Sequence, residues 1–348
     1  MKVFDDTKIY IVAPAGTATG GPELLHQLCF HLRNDLNLDA YMFYQPTDHP
    51  DPVHSAYKVY GVPYVDRVDD KEENIIIVPE VVRLMEVIDD YKNIRKVIWW
   101  LSVDNFYISK MEKESFLAWR NRINRLLYLF LKRELFELHE IAMKIYKDYD
   151  LSKDKLVTSA DLHLAQSYYA LDHLRNHGIK NVEYLSDYLN KSFLEKKPNL
   201  KNKKDKILYN PKKGYIFTSK LIKEAEDLNF IPIENMTREE VIKALEEAKV
   251  YIDFGNHPGK DRLPREAAIL GCCVIVGCRG SASGLDVPIP QEFKFKMNPE
   301  PEIDAVIGKL RDCIENFHEN HKKFDDYRKI IMKEPVRFRE DLKKIFSK

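Results

Sequence analysis

Hydrophobic positions along this chain switch between two periods. Lys8–Ala13 (KIYIVA) is an apolar run that reads as a buried strand. Within Pro22–Asn34, Leu24, Leu25, Leu28, Cys29 and Leu32 then fall at the spacing of one helix face. The alternation continues, with strands expected at Ala40–Tyr44, Asn74–Val78, Lys96–Leu101, Lys155–Ser159 and Asn181–Leu185. Helices are expected between them over Glu80–Tyr91, Glu114–Tyr149 and His163–His177. Short strands spaced by helices give a parallel sheet covered on both faces.

After Asp187 the pattern lapses. Lys196, Lys197, Lys201, Lys203, Lys204 and Lys206 crowd a stretch of low apolar content that reads as a solvated linker. Alternation then restarts, with strands at Lys206–Asn210, Phe230–Ile233, Lys249–Phe254 and Cys272–Val276. Helices are expected over Gly214–Asn229, Thr237–Ala248 and Pro264–Leu270, the second opened by Thr237 and Glu240 at capping-box spacing. The tail from Glu315 is helical in pattern and rich in charge. The expected fold is α/β with two Rossmann-like domains, 1–190 and 206–320, joined by a linker at 191–205 and followed by a helical segment at 321–348.

Composition narrows the function classes. A chain of 348 residues fits two domains at roughly 100–200 residues each. Its 55 basic and 55 acidic residues cancel, so no global field draws it to nucleic acid, and any basic site is local. No run reaches the ~20 apolar residues of a membrane span and the start lacks a signal-peptide pattern, so the expected compartment is the cytoplasm. Cys29, Cys272, Cys273, Cys278 and Cys313 form no C-x-x-C pair and read as reduced core residues.

Four segments carry candidate chemistry. The turn Gly16–Glu23, with Gly20 and Gly21 before a helix, outlines a phosphate or sugar cradle, or a purely structural turn; it is neither G-x-G-x-x-G nor a P-loop. The strand end Trp99–Asn105 offers Asp104 as a base or hydroxyl-orienting group, Trp100 as a sugar platform, and Ser102 and Asn105 as polar contacts. The opposing reading is a core Trp pair and a helix cap. Tyr209–Gly214 places Lys212 and Lys213 beside a helix start, where they can neutralise a diphosphate or simply face water. Asp253–Ala268 is the densest, gathering His257, Lys260, Asp261, Arg262, Arg265 and Glu266 between a strand and a small-residue helix.

On these residues the chain resembles a known family. GGPELLHQL after the first strand, and Gly259–Ala268 leading into Gly271–Val276, are similar to the GT-B glycosyltransferases, particularly the bacterial surface-polysaccharide type. The resemblance implies two Rossmann-like domains facing a cleft, a nucleotide-sugar donor held mainly by the second, an acceptor held by the first, and a final helix crossing back. It further implies that Glu266 binds the donor ribose hydroxyls and that Lys212 or Lys213 meets the diphosphate. In one respect the chain departs from the family. Retaining members often carry two glutamates with seven residues between them, and the place of the first is held by Pro258, with His257 or Asp261 as substitutes. Retention is favoured but the stereochemical outcome stays open.

Breaking a sugar–phosphate bond builds negative charge on the leaving diphosphate, and Lys212, Lys213, Lys260, Arg262 and Arg265 are the cations expected to meet it, Lys213 and Arg262 above all. No apolar-flanked D-x-D is present, so no metal and no cofactor is expected. The expected partners are a nucleotide-sugar donor and a saccharide or lipid-linked acceptor in surface-polysaccharide synthesis. Arg120, Arg122, Arg125, Lys132 and Arg133 around Leu126–Leu131 also allow a peripheral contact at the inner face of the cell membrane, against a buried helix with a basic face. A nucleotide-sugar epimerase and a non-catalytic sugar-nucleotide or glycan binder are the alternatives.

Overall fold

The computed structural model describes residues 1–114, 119, 123, 126, 127 and 138–347. Among the described residues the chain divides into two units, the first holding residues 1–114, 119, 138–187 and 336–347 and the second residues 123, 126, 127 and 188–335. The basic stretch around Leu126–Leu131, read either as a peripheral lipid contact or as a buried helix with a basic face, falls largely outside the described residues. Among those described, no helix is long and apolar enough to cross a membrane.

The first unit is built on a parallel sheet of seven strands: β1 (Lys8–Pro14), β2 (Asp39–Gln45), β3 (Tyr64–Val65), β4 (Ile75–Pro79), β5 (Arg95–Trp100), β6 (Leu162–Ala165) and β7 (Val182–Tyr184). Their order is β3-β2-β1-β4-β5-β6-β7, so the winding reverses between β1 and β4. Parallel strands covered on both faces must be apolar along their whole length, and all five residues of β4 are buried. Helices α1 (Gly20–Asn34), α2 (Val103–Lys113) and α3 (Tyr168–Asn176) connect the strands.

The second unit has its own core and a five-stranded parallel sheet of β8 (Lys204–Tyr209), β9 (Asn229–Pro232), β10 (Ala248–Asp253), β11 (Cys273–Cys278) and β12 (Lys294–Lys296). The order β12-β11-β10-β8-β9 puts its reversal between β8 and β10. Helices α4 (Tyr215–Glu224), α5 (Arg238–Glu247), α6 (Arg262–Ile269) and α7 (Ile303–Glu315) follow these strands, and Thr237 and Glu240 form the expected capping box on α5. Helix α8 (Asp325–Ile345) contains Pro335, after which its residues group with the first unit. There Arg337 donates to the Tyr168 hydroxyl at 3.0 Å, and Phe338 packs on the His31 ring.

Two sequence expectations are corrected here. Lys155–Ser159 is not a strand: the Asp154 carboxylate accepts from the Leu156 and Val157 amides and starts a helical turn at Lys155–Thr158. The strand is instead the buried Leu162–Ala165, with Ser167 capping α3 behind it. The second correction is Lys203, which is not solvated. Its ammonium is buried and donates to the carbonyls of Leu245, Ala248 and Leu270 at 2.7, 2.8 and 2.8 Å, satisfying acceptors left over where α5 and α6 end.

Candidate functional site

Open parallel sheets bind ligands beyond the carboxyl ends of the strands where the winding reverses. In the second unit that place is formed by two loops, residues 210–214 after β8 and residues 254–261 after β10. The loops are pressed together backbone to backbone. Gly214 has φ +61°, and a Cβ on it would sit 2.3 Å from the Phe254 carbonyl carbon, so only glycine fits. Gly280, after β11, braces the same loop with φ +51° and would bring a Cβ within 2.1 Å of the His257 carbonyl oxygen.

This packing brings Lys213 onto Asp261. The ammonium lies 3.0 and 2.8 Å from the two carboxylate oxygens, with the lysine side chain 30% and the aspartate 17% exposed. Behind Asp261 sits His257, wholly buried, with Nδ1 2.9 Å from Asp261 Oδ2 and Nε2 3.7 Å from Asp253 Oδ1. Nδ1 lies at ion-pair distance but off the hydrogen-bond direction, and Nε2 lies beyond hydrogen-bond reach of Asp253. Asp253 is held by the Gly255 amide and the Tyr251 hydroxyl, each at 3.0 Å. Burial by itself would lower His257, but Asp253 and Asp261 outweigh it and raise the imidazole above its ordinary value. Burial likewise opposes ionisation of Asp261, and Lys213 and His257 overcome it, holding the carboxyl well below the usual range.

Asp253, His257 and Asp261 bring one metal-ligating atom each within 4.8 Å of one another. Lys213 already lies against both oxygens of Asp261, so a metal could use this set only after the ammonium moved away.

The five expected cations divide sharply. Lys212 is exposed, and Lys213 faces solvent on one side. Arg262, partly buried, lies 3.8 Å from Glu266 Oε1 on the next turn of α6. Lys260 and Arg265 are corrected: Glu334 takes both, at 2.7 and 2.9 Å, and Arg265 is 0% exposed, so it presents nothing to a donor. His257, equally buried, is not placed to touch substrate in this conformation. Helix α6 begins at Arg262 rather than Pro264, because Asp261 occupies the cap position while its carboxylate serves Lys213 instead of the helix amides.

In the first unit the candidates are placed differently. Gly20 and Gly21 are the first residues of α1 rather than loop residues, with their amides among the four that a helix start leaves without helical partners. Trp100 is corrected: its side chain is fully buried against Phe106, its indole donating to His163 Nδ1 at 3.1 Å, and it offers no sugar platform. Ser102 caps α2 by accepting from the Asn105 amide at 3.3 Å. Asp104, offered by the sequence as a base or hydroxyl-orienting group or as part of a helix start, is buried in the first turn of α2, its oxygens 3.3 Å from His139 Nδ1 and 3.4 Å from the Tyr169 hydroxyl. Asn105 remains exposed.

Sequence reasoning missed Glu80, which ends β4 at this unit's own reversal point. Its buried carboxyl accepts from the Leu101 amide at 2.9 Å, and burial pushes it up to about 7. An acid directly after the all-apolar run Ile75–Pro79 was the available signal.

No known family's profile matches the chain, and no curated protein matches its sequence. Solved structures do. HepE of Anabaena in complex with UDP and glucose aligns at TM-score 0.55 and 12% identity, covering 97% of this chain and 98% of that one. Sucrose-phosphate synthase of Thermosynechococcus elongatus aligns at TM-score 0.55 and 13% identity, covering 98% and 95%. The lipopolysaccharide outer core galactosyltransferase WaaB aligns at TM-score 0.51 and 12% identity, covering 96% and 99%. These likenesses run through nearly the whole chain and show the fold to be that of the GT-B type, with two Rossmann-like units.

Proposed function

We propose that this protein is a glycosyltransferase that takes a sugar from a nucleoside-diphosphate donor, of which UDP-sugars are the first to test. The observation that carries the reading is the pair of loops at the β8–β10 reversal, where Lys213, 30% exposed, stands on the first loop, and the partly buried Arg262 and the buried Glu266 stand in the first turns of α6, which follows the second. In this reading Lys213 and Arg262 face the diphosphate, with Lys212 at the rim, and Glu266 takes the ribose hydroxyls. Fixed cations act where the leaving group gains charge, so side chains supply what a metal otherwise would. The complex of HepE with UDP and glucose supports the donor class. The acceptor, a saccharide or a lipid-linked saccharide in surface-polysaccharide synthesis, is assigned to the first unit, with Asn105 as its exposed polar contact.

The test is a thermal-shift screen over nucleoside diphosphates and their sugars, since a ligand at 100 times Kd stabilises by about 2.7 kcal/mol. Assays with the stabilising donor then follow. Lys213→Ala or Arg262→Ala should lower kcat/KM by about 10²–10³, and a change within about threefold counts against the assignment. Turnover of donor without acceptor would favour an epimerase. NMR of the product's anomeric carbon decides between the expected retention and inversion.

A further inference from the structure

The ion pair between Lys213 and Asp261 poses a problem for any diphosphate. If Lys213 turns to the ligand, the Asp261 carboxylate, 17% exposed and facing the protein interior, loses the cation that lies on both its oxygens. A carboxylate left in that state is strongly unfavourable. One group stands in position to prevent this: the buried His257 ring, 2.9 Å from the same Asp261 oxygen that Lys213 approaches most closely.

We propose that His257 is a positioning residue: as imidazolium it takes over Asp261 when Lys213 turns to the diphosphate, freeing the lysine to bind. This rests on the reading of the second unit as a nucleoside-diphosphate site. The groups facing the ring are Asp253, itself bonded to Tyr251, from β10; Lys213 from the turn after β8; and Asp261 ahead of α6. The segment after β11 meets His257 through its backbone, where the Ser281 amide donates to the His257 carbonyl at 2.8 Å. Asp253 stabilises the imidazolium from the far side, and Lys213 opposes it. When Lys213 departs, that opposition falls and the ring holds its proton more tightly. Diphosphate binding and protonation of His257 therefore favour each other.

The experiment is titration calorimetry of the full chain with UDP and, as a base-independent probe, with inorganic pyrophosphate at pH 7. UDP binding is repeated from pH 7.5 to 9, well above the second ionisation of its terminal phosphate at about 6, in buffers of different ionisation enthalpy. The wild type should take up protons on binding and weaken as pH rises. His257→Gln should bind at least about tenfold more weakly at pH 7, without proton uptake and without that pH dependence. Asp253→Asn should move the fall in affinity to lower pH, which keeps the test open if His257→Gln does not fold. Wild-type affinity and proton uptake in His257→Gln, or an unshifted profile in Asp253→Asn, overturns the proposal. Failure of the wild type to bind either probe removes the diphosphate reading itself, and this inference with it.

Discussion

Arg265 Nη1 lies 2.9 Å from Glu334 Oε2, joining two side chains that are 0% and 4% exposed and stand 69 positions apart in the chain. Lys260 shares the same glutamate at 2.7 Å. Removing one partner from a buried pair costs about 3–5 kcal/mol because a charge is left without compensation. Glu334→Ala should therefore lower the stability of the second unit by about that amount in urea unfolding, and a loss below about 1 kcal/mol would show that the pair is better hydrated than it looks.

Lys203 gives a second stability prediction. Its three carbonyl partners lie where α5 and α6 end, and methionine can fill the stem's volume but cannot donate. Lys203→Met should cost about 2–3 kcal/mol, set by unsatisfied buried acceptors rather than by lost packing. Equal urea midpoints for variant and wild type would refute it.

Gly280 tests the brace behind the His257 loop. An alanine there meets both a left-handed backbone and a carbonyl 2.1 Å away, so the loop must shift. Gly280→Ala should lose at least about 2 kcal/mol and weaken UDP binding as well. Gly284→Ala, where nothing lies within 4 Å of the added carbon, should leave UDP binding unchanged and serves as the control.

Two buried groups in the first unit should pull its stability in opposite directions over one pH window. Glu80 is raised from 4.5 to about 7, so the unfolded chain loses this proton first and stability falls as pH rises from about 4.5 through 7. His163 is lowered by burial from 6.5 to about 4, so the unfolded chain gains a proton first and stability falls as pH drops from 6.5 to 4. Glu80→Gln should remove the first slope, worth on the order of 3 kcal/mol across the window. His163→Asn should remove the second. Denaturant midpoints at pH 4.5 and 7.5 separate them, and parallel profiles for wild type and Glu80→Gln would be the contrary result.

What the sequence disclosed follows from how local each determinant is. Long apolar strands bounded by turns were legible, and β10 was expected at Lys249–Phe254 against the observed Ala248–Asp253. The four-residue β6 was not, because Leu162–Ala165 merges with the helical spacing of α3, while Val157 and Thr158 in the preceding turn imitate a strand. Within the site, the loops around Lys213 and Asp261 could be read as strand-to-helix turns dense in glycine and charge. Which charges face a ligand could not, since Glu334 neutralises Lys260 and Arg265 from a distant helix and no spacing rule links them. Trp100 failed for the opposite reason: a strand-end aromatic looks like a platform until both faces of the sheet are covered.

The enclosed ammonium of Lys203 also makes the protein a recorder of its own motions. An acylating reagent added to the native chain meets Lys201 and Lys204 at once, whereas Lys203 reacts only while α5 or α6 lets go of it. The ratio of their labelling rates, read by peptide mass, times transient opening of that sheet without any introduced probe.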